Sequence, residues 1–137
     1  MSLRGAQHPV LLSPPATSTH AGGTRIGRVS NGLLTKIAHV VDVIEPVAKF
    51  TSVLKDNPGI GKVFTTGLEY WKPSPGILYD LVWIQWCATY IEDPSLVLFL
   101  QRCKSVLSSE KGVIVFKENL SGSDEDYREE YDGSLTR

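Results

Sequence analysis

The segment Tyr79-Asp80-Leu81-Val82-Trp83-Ile84-Gln85-Trp86 constrains this chain more than any other. It is short, rich in β-branched and aromatic residues, and apolar on both faces. Such a strand must be covered on both sides, as in the middle of a parallel sheet packed between helices. The flanking pattern agrees. His39-Val40-Val41-Asp42-Val43-Ile44, ending at Glu45-Pro46, reads as a buried strand. Lys62-Val63-Phe64-Thr65-Thr66 and Val113-Ile114-Val115-Phe116-Lys117 read as two more. Between them lie helical signals. Val29, Leu33 and Ile37 are spaced four apart, and Val47 to Lys55 is closed by Asn57-Pro58-Gly59. Asp93-Pro94 opens the clearest helix, with Asp93 expected as the N-cap. Its residues Leu96, Phe99, Leu100, Cys103, Val106 and Leu107 form one apolar stripe. Strands alternating with helices predict a doubly wound α/β sheet.

The ends differ in character. Residues 1–20 hold Pro9, Pro14, Pro15 and a Ser/Thr cluster with no period, and are expected to be irregular or disordered. After Asn119 the acids Asp124, Glu125, Asp126, Glu129, Glu130 and Asp132 make a polar segment unsuited to a core. With 137 residues there is room for one core. A net charge of −1 gives no basic field, so neither nucleic acid nor an anionic membrane surface is an expected partner. The apolar runs are shorter than a membrane span, and Val10-Leu11-Leu12 is too short for the core of a secretory signal. Cys87 and Cys103, without metal-ligand spacing, read as reduced core thiols. An intracellular protein is expected.

Ligands of such sheets bind beyond the carboxyl ends of the strands. The residues to examine are therefore Gly22-Gly23-Thr24-Arg25-Ile26-Gly27, Glu45, Leu68-Glu69, Gln85-Trp86 and Asn119. A glycine loop running into a helix offers free N–H groups to an anion. Glu45 follows Gly23 by 22 residues (45 − 23), near the roughly 20-residue gap between such a loop and a ribose-binding carboxylate. A tight turn followed by a solvent-facing Glu gives the same spacing. An amide beside an indole, as in Gln85-Trp86, can hydrogen-bond a ligand and wall its cavity. Core packing with a surface amide is the alternative, and it is the preferred one for Trp83.

The strings Ile26-Gly27-Arg28-Val29, Val41-Asp42-Val43-Ile44-Glu45-Pro46, Gly67-Leu68-Glu69 and Trp83-Ile84-Gln85-Trp86 occur in an order and spacing that resemble one family. Arg102-Cys103-Lys104, Lys117-Glu118-Asn119 and Asp132-Gly133-Ser134-Leu135-Thr136-Arg137 continue the likeness, which covers residues 21–137. The family is the protein α-N-terminal methyltransferases, which use S-adenosylmethionine to methylate proteins beginning Xaa-Pro-Lys. The resemblance implies a Rossmann-like class I methyltransferase sheet and a cytoplasmic and nuclear location. It implies that Gly23 and Arg28 contact the methionine part of S-adenosylmethionine, with Arg28 on its carboxylate. Glu45 would hold the ribose, Leu68 and Glu69 the adenine side, and Gln85 the methionyl moiety. Trp86, Asn119, Asp132 and Ser134 would line the peptide channel. Asn119 and Asp132 would orient the amine, and Asp132 would take its proton.

The chain departs from the family pattern in places. The family loop reads Asp-Cys-Gly-Ala-Gly-Ile-Gly-Arg, whereas Ala21 replaces the acid here and Arg25 the middle glycine. Bulk there obstructs close backbone approach to a ligand. Ser13 to His20 stand where an apolar first strand is expected, so that strand is expected to be degenerate. Tyr90 occupies a position where the family commonly has a histidine. The last strands are expected to be missing beyond Arg137. An incomplete enzyme, a non-catalytic fragment or interaction module, and a nicotinamide dehydrogenase remain as alternatives, the last without support from Trp83-Ile84-Gln85-Trp86.

Overall fold

The computed structural model describes residues 10–13, 30–108, 112–131 and 133–137. Five parallel strands form one sheet: β1 (Val10–Ser13), β2 (Val41–Ile44), β3 (Ile60–Phe64), β4 (Leu81–Gln85) and β5 (Val113–Lys117), in the order β3-β2-β1-β4-β5. The order runs outward from β1 in one direction and then the other, the doubly wound arrangement. Tyr127–Arg128 (β6) and Leu135–Thr136 (β7) add a small antiparallel hairpin.

β1 corrects two expectations. Residues 1–20 are not irregular throughout, because Val10–Ser13 is the central strand, and the first strand is present in the described sheet. Leu12 is in register with Val43 on one side and Trp83 on the other. No local signal marks this segment, since three apolar residues beside prolines carry no period. Its order comes from two open ladders that satisfy its backbone groups from both sides.

The helical signals are realised unequally. Ser30–Leu34 is a π-helical turn that continues as α1 (Thr35–Ile37), and Ala48–Thr51 (α2) tightens into a 3₁₀ turn over Ser52–Leu54. α3 (Asp93–Ser105) is the one long helix among the described residues. Its N-cap is Glu92 rather than Asp93, with no side-chain capping bond, and Pro94 sits in the first turn as expected. Asp93 is instead the first helical residue and pairs with Arg137.

Side chains alternate across the sheet. Ile44, Val82 and Ile84 join Trp71, Tyr79, Phe99 and Cys103 in a core on the α3 side. Val41 and Val43 join Leu34, Leu54, Leu81 and Trp83 on the other. Asp42 is buried on the α3 side, where the Tyr79 hydroxyl donates to its Oδ2 (2.8 Å) and the Lys62 N–H to its Oδ1 (2.7 Å). Burial pushes the Tyr79 phenol far up, and the Asp42 charge adds to the effect. Both cysteines are buried and neither forms a disulfide, as the sequence suggested, and burial pushes the Cys103 thiol up to about 12. Among the described residues, no helix is long and apolar enough to cross a membrane, and no group of three His, Cys, Asp or Glu could hold a metal ion.

Candidate functional site

Because the strands are parallel, their carboxyl ends share one edge of the sheet. Ser13 is in register with Ile84 of β4, and Leu12 with Val43 of β2. Glu45 and Gln85 therefore stand at the same level on the strands flanking β1. Strands about 4.8 Å apart place their backbones roughly 10 Å from each other. This is the crevice where the strand order reverses, the usual ligand position in such sheets.

Glu45 is not a solvent-facing acid. It is 0% exposed, its Oε1 accepts the Val47 N–H at 2.8 Å, and its buried Oε2 has no hydrogen-bond partner among the described residues. Burial raises its carboxyl above the usual range, against the opposing pull of the Val47 N–H. A buried unpaired carboxylate oxygen costs a full desolvation penalty unless a donor meets it. Ribose hydroxyls are such donors.

Gln85 is buried, and its Oε1 accepts the Trp83 indole N–H at 3.0 Å. Trp83 thus packs in the core and also fixes the amide, leaving the Gln85 amide N–H groups as its donors. Trp86 comes next in a left-handed conformation, φ 52°. Such strain in a bulky residue costs on the order of 1–3 kcal/mol and persists only where its surroundings impose it. The Trp86 N–H donates to the Lys117 carbonyl at 2.9 Å, and the Lys117 ammonium lies 4.9 Å from the indole ring centroid.

Leu68 and Glu69 lie in a 3₁₀ turn, Leu68–Tyr70, beyond β3. Arg102 of α3 donates to the carbonyls of Leu68 (3.1 Å) and Glu69 (2.8 Å), holding this turn at the sheet edge. Asn119 is exposed two residues beyond β5. Ser134 precedes β7, and the hairpin carrying it is docked by Arg137, whose guanidinium donates to the carbonyls of Ala88 (3.1 Å) and Ile91 (2.5 Å) and to Asp93 (2.6 Å). The Ser121 N–H donates to the Arg137 carbonyl at 2.8 Å, drawing the Asn119 segment and the hairpin together. Tyr90 is exposed in the turn Ala88–Tyr90. Gly23, Arg28 and Asp132 lie outside the described residues.

Sequence reasoning passed over Glu118 and Arg102 as site elements. Both occur in the recognised strings, but their roles are main-chain contacts to segments far away in sequence, which no spacing rule reveals.

A family described as AdoMet dependent proline di-methyltransferase matches residues 15–137. The chain is 41% identical over 117 residues to alpha N-terminal protein methyltransferase 1 of Schizosaccharomyces pombe, covering 84% of this chain and 52% of that protein. It is 35% identical over 120 residues to N-terminal Xaa-Pro-Lys N-methyltransferase 1-B of Xenopus laevis, with the same coverage of 84% and 52%. A solved SAM-dependent methyltransferase of Leishmania major superposes with a TM-score of 0.75 at 34% identity, over 95% of this chain and 49% of that one. The chain thus spans about half the length of the curated relatives it matches.

Proposed function

Because the chain belongs to the AdoMet dependent proline di-methyltransferase family, we propose that it serves methyl transfer from S-adenosylmethionine to the α-amine of proteins beginning Xaa-Pro-Lys. The observation that carries this reading is the buried Oε2 of Glu45, without a hydrogen-bond partner among the described residues, at the carboxyl end of β2. The cofactor supplies an electrophilic methyl group on a sulfonium. Glu45 accepts hydrogen bonds from its ribose hydroxyls, a task that suits an acceptor-only carboxylate. The Leu68–Glu69 turn borders the adenine, and the Gln85 amide meets the methionyl part. Gly23 and Arg28 complete that end, with the Arg28 guanidinium on the carboxylate.

On the peptide side, Trp86, Asn119 and Ser134 line the channel. Asn119 and Asp132 orient the amine, and Asp132 removes its proton. An α-amine has a reference pKa of about 7.7–8.0, so a useful fraction is already neutral near pH 7, and a nearby carboxylate can take the proton from the rest. A proline at the second position fixes φ and lowers the ordering cost of presenting the amine. A lysine at the third position meets the acids around Asp132. The same reading carries a cytoplasmic and nuclear location, tested by imaging the tagged full chain.

The test is methylation of a Ser-Pro-Lys peptide in free and N-acetylated form, beside calorimetric titration with S-adenosylhomocysteine. Labelling confined to the free peptide is expected. Equal labelling of both sinks the α-amine assignment. Failure of the chain to bind S-adenosylhomocysteine sinks the cofactor site.

A further inference from the structure

Trp86 occupies a conformation its side chain disfavours, and the turn immediately after it is held through both its N–H groups and its carbonyls. Glu118, one residue past β5, turns its carboxylate toward the chain leaving β4. One oxygen, Oε1, accepts both the Cys87 N–H (2.8 Å) and the Ala88 N–H (2.9 Å). The second oxygen is buried and has no hydrogen-bond partner among the described residues. Arg137 donates to the carbonyls of Ala88 and Ile91. The turn after Trp86 is therefore gripped through its N–H groups by an anion and through its carbonyls by a cation.

Resting on the methyltransferase reading, we infer that Glu118 is a positioning residue: it accepts the two main-chain N–H groups beyond Trp86 and so keeps the strained Trp86 turned toward the peptide channel. A left-handed aromatic residue relaxes to extended backbone unless neighbouring peptide groups are tied down. Two hydrogen bonds to one charged acceptor tie down the next two peptides. Burial pushes the Glu118 carboxyl up, while the Ala88 and Cys87 N–H groups and Arg137 pull it down. The group holds its place for these contacts and not for solvation. Glu118 acts through Trp86 and touches neither cofactor nor peptide in this assignment.

Three variants of the full chain test it: Glu118→Gln, Glu118→Asp and Glu118→Ala. Gln keeps an acceptor oxygen at the same reach, Asp withdraws it by one methylene, and Ala removes it. The first readout is amide exchange at Cys87 and Ala88 with the Trp86 Cα and Cβ chemical shifts, which report φ without any ligand. In Asp and Ala, protection is expected to fall by about tenfold or more, the equivalent of about 1.4 kcal/mol, and the Trp86 shifts to move toward extended values. Gln is expected to preserve both. The second readout is calorimetry with a Ser-Pro-Lys peptide and, separately, with S-adenosylhomocysteine. Peptide affinity is expected to fall about tenfold in Asp and Ala, more than cofactor affinity, and to recover in Gln. Unchanged Trp86 shifts in the Asp variant, or a Gln variant as impaired as Asp, overturn the inference. Should Ala fail to fold, the Gln and Asp pair decides. A wild-type chain that binds neither probe overturns the methyltransferase reading, and the exchange and shift measurements then decide the role of Glu118 alone.

Discussion

Replacing Glu45 by Gln should strengthen the fold while weakening the cofactor, and this opposition of signs is what makes the perturbation informative. In the free chain the carboxylate is fully buried, one oxygen on the Val47 N–H and the other without a partner among the described residues. Gln keeps an acceptor for Val47 and removes the buried charge, so thermal stability at neutral pH should hold or rise. The pH dependence comes from the raised carboxyl. A carboxyl that holds its proton more tightly folded than unfolded favours the folded state at low pH. That advantage is lost as pH climbs from its ordinary value of 4.5 through the raised one. The Gln variant should lack this component of the stability profile. Cofactor binding runs the other way. A charge-assisted hydrogen bond to the ribose is worth about 1.5–3 kcal/mol, so its loss should weaken S-adenosylhomocysteine by roughly 10- to 150-fold. Hydroxyl donors also favour the ionised carboxylate, so binding to the wild-type chain should release protons. Affinity should therefore rise with pH through the raised value and then level off. Calorimetry in buffers of different ionisation enthalpy measures both the affinity and the protons released, and a melt of each variant supplies the stability. Equal affinity in wild type and Gln, or a melting temperature that falls with the affinity, would refute the assignment of Glu45 as a preformed ribose acceptor.

Tyr79→Phe removes the donor to the buried Asp42 Oδ2 and should cost about 1–3 kcal/mol in urea unfolding. A loss below a few tenths would mean that water replaces the hydroxyl. Gly61→Ala places a Cβ 2.5 Å from Asp42 Oδ1 and 2.6 Å from Val40 Cγ1, too close to stand. It should destabilise by about 1–3 kcal/mol, and an unchanged unfolding midpoint would show that β2 and β3 can slide apart. Arg102→Ala frees the carbonyls of Leu68 and Glu69. Affinity for adenosine-containing ligands should fall about tenfold, with peptide affinity less affected, and equal losses for both in paired titrations would mark Arg102 as a general stabiliser.

Several features were legible in the residues. The alternation of β-branched runs with helical stripes pointed to the parallel α/β sheet, because side-chain period is a local property that packing preserves. Leu81–Gln85 and Asp93–Ser105 fall close to where their patterns place them. Glu45, Leu68, Glu69, Gln85, Trp86 and Asn119 lie at or beyond strand ends, where the residues placed them, because a strand's end is marked by local sequence. The short helices were overestimated. Val47 to Lys55 tightens to a 3₁₀ turn after Thr51, where tertiary packing sets the geometry and propensity is weak.

Other features only the tertiary structure decided. Val10–Ser13 becomes the central strand because β2 and β4 offer it two ladders at once, an energy no single segment carries. Glu45 lies just past the strand that carries Asp42, yet one oxygen of Glu45 lacks a partner among the described residues while both oxygens of Asp42 are engaged. That difference depends on Tyr79 and Lys62 arriving from elsewhere in the chain. The grip of Glu118 on Cys87 and Ala88 joins residues 31 and 30 positions apart. Side-chain identity limits what each residue can bond to. Which backbone groups it meets is fixed by the register of distant strands, and that register exists only in the assembled sheet.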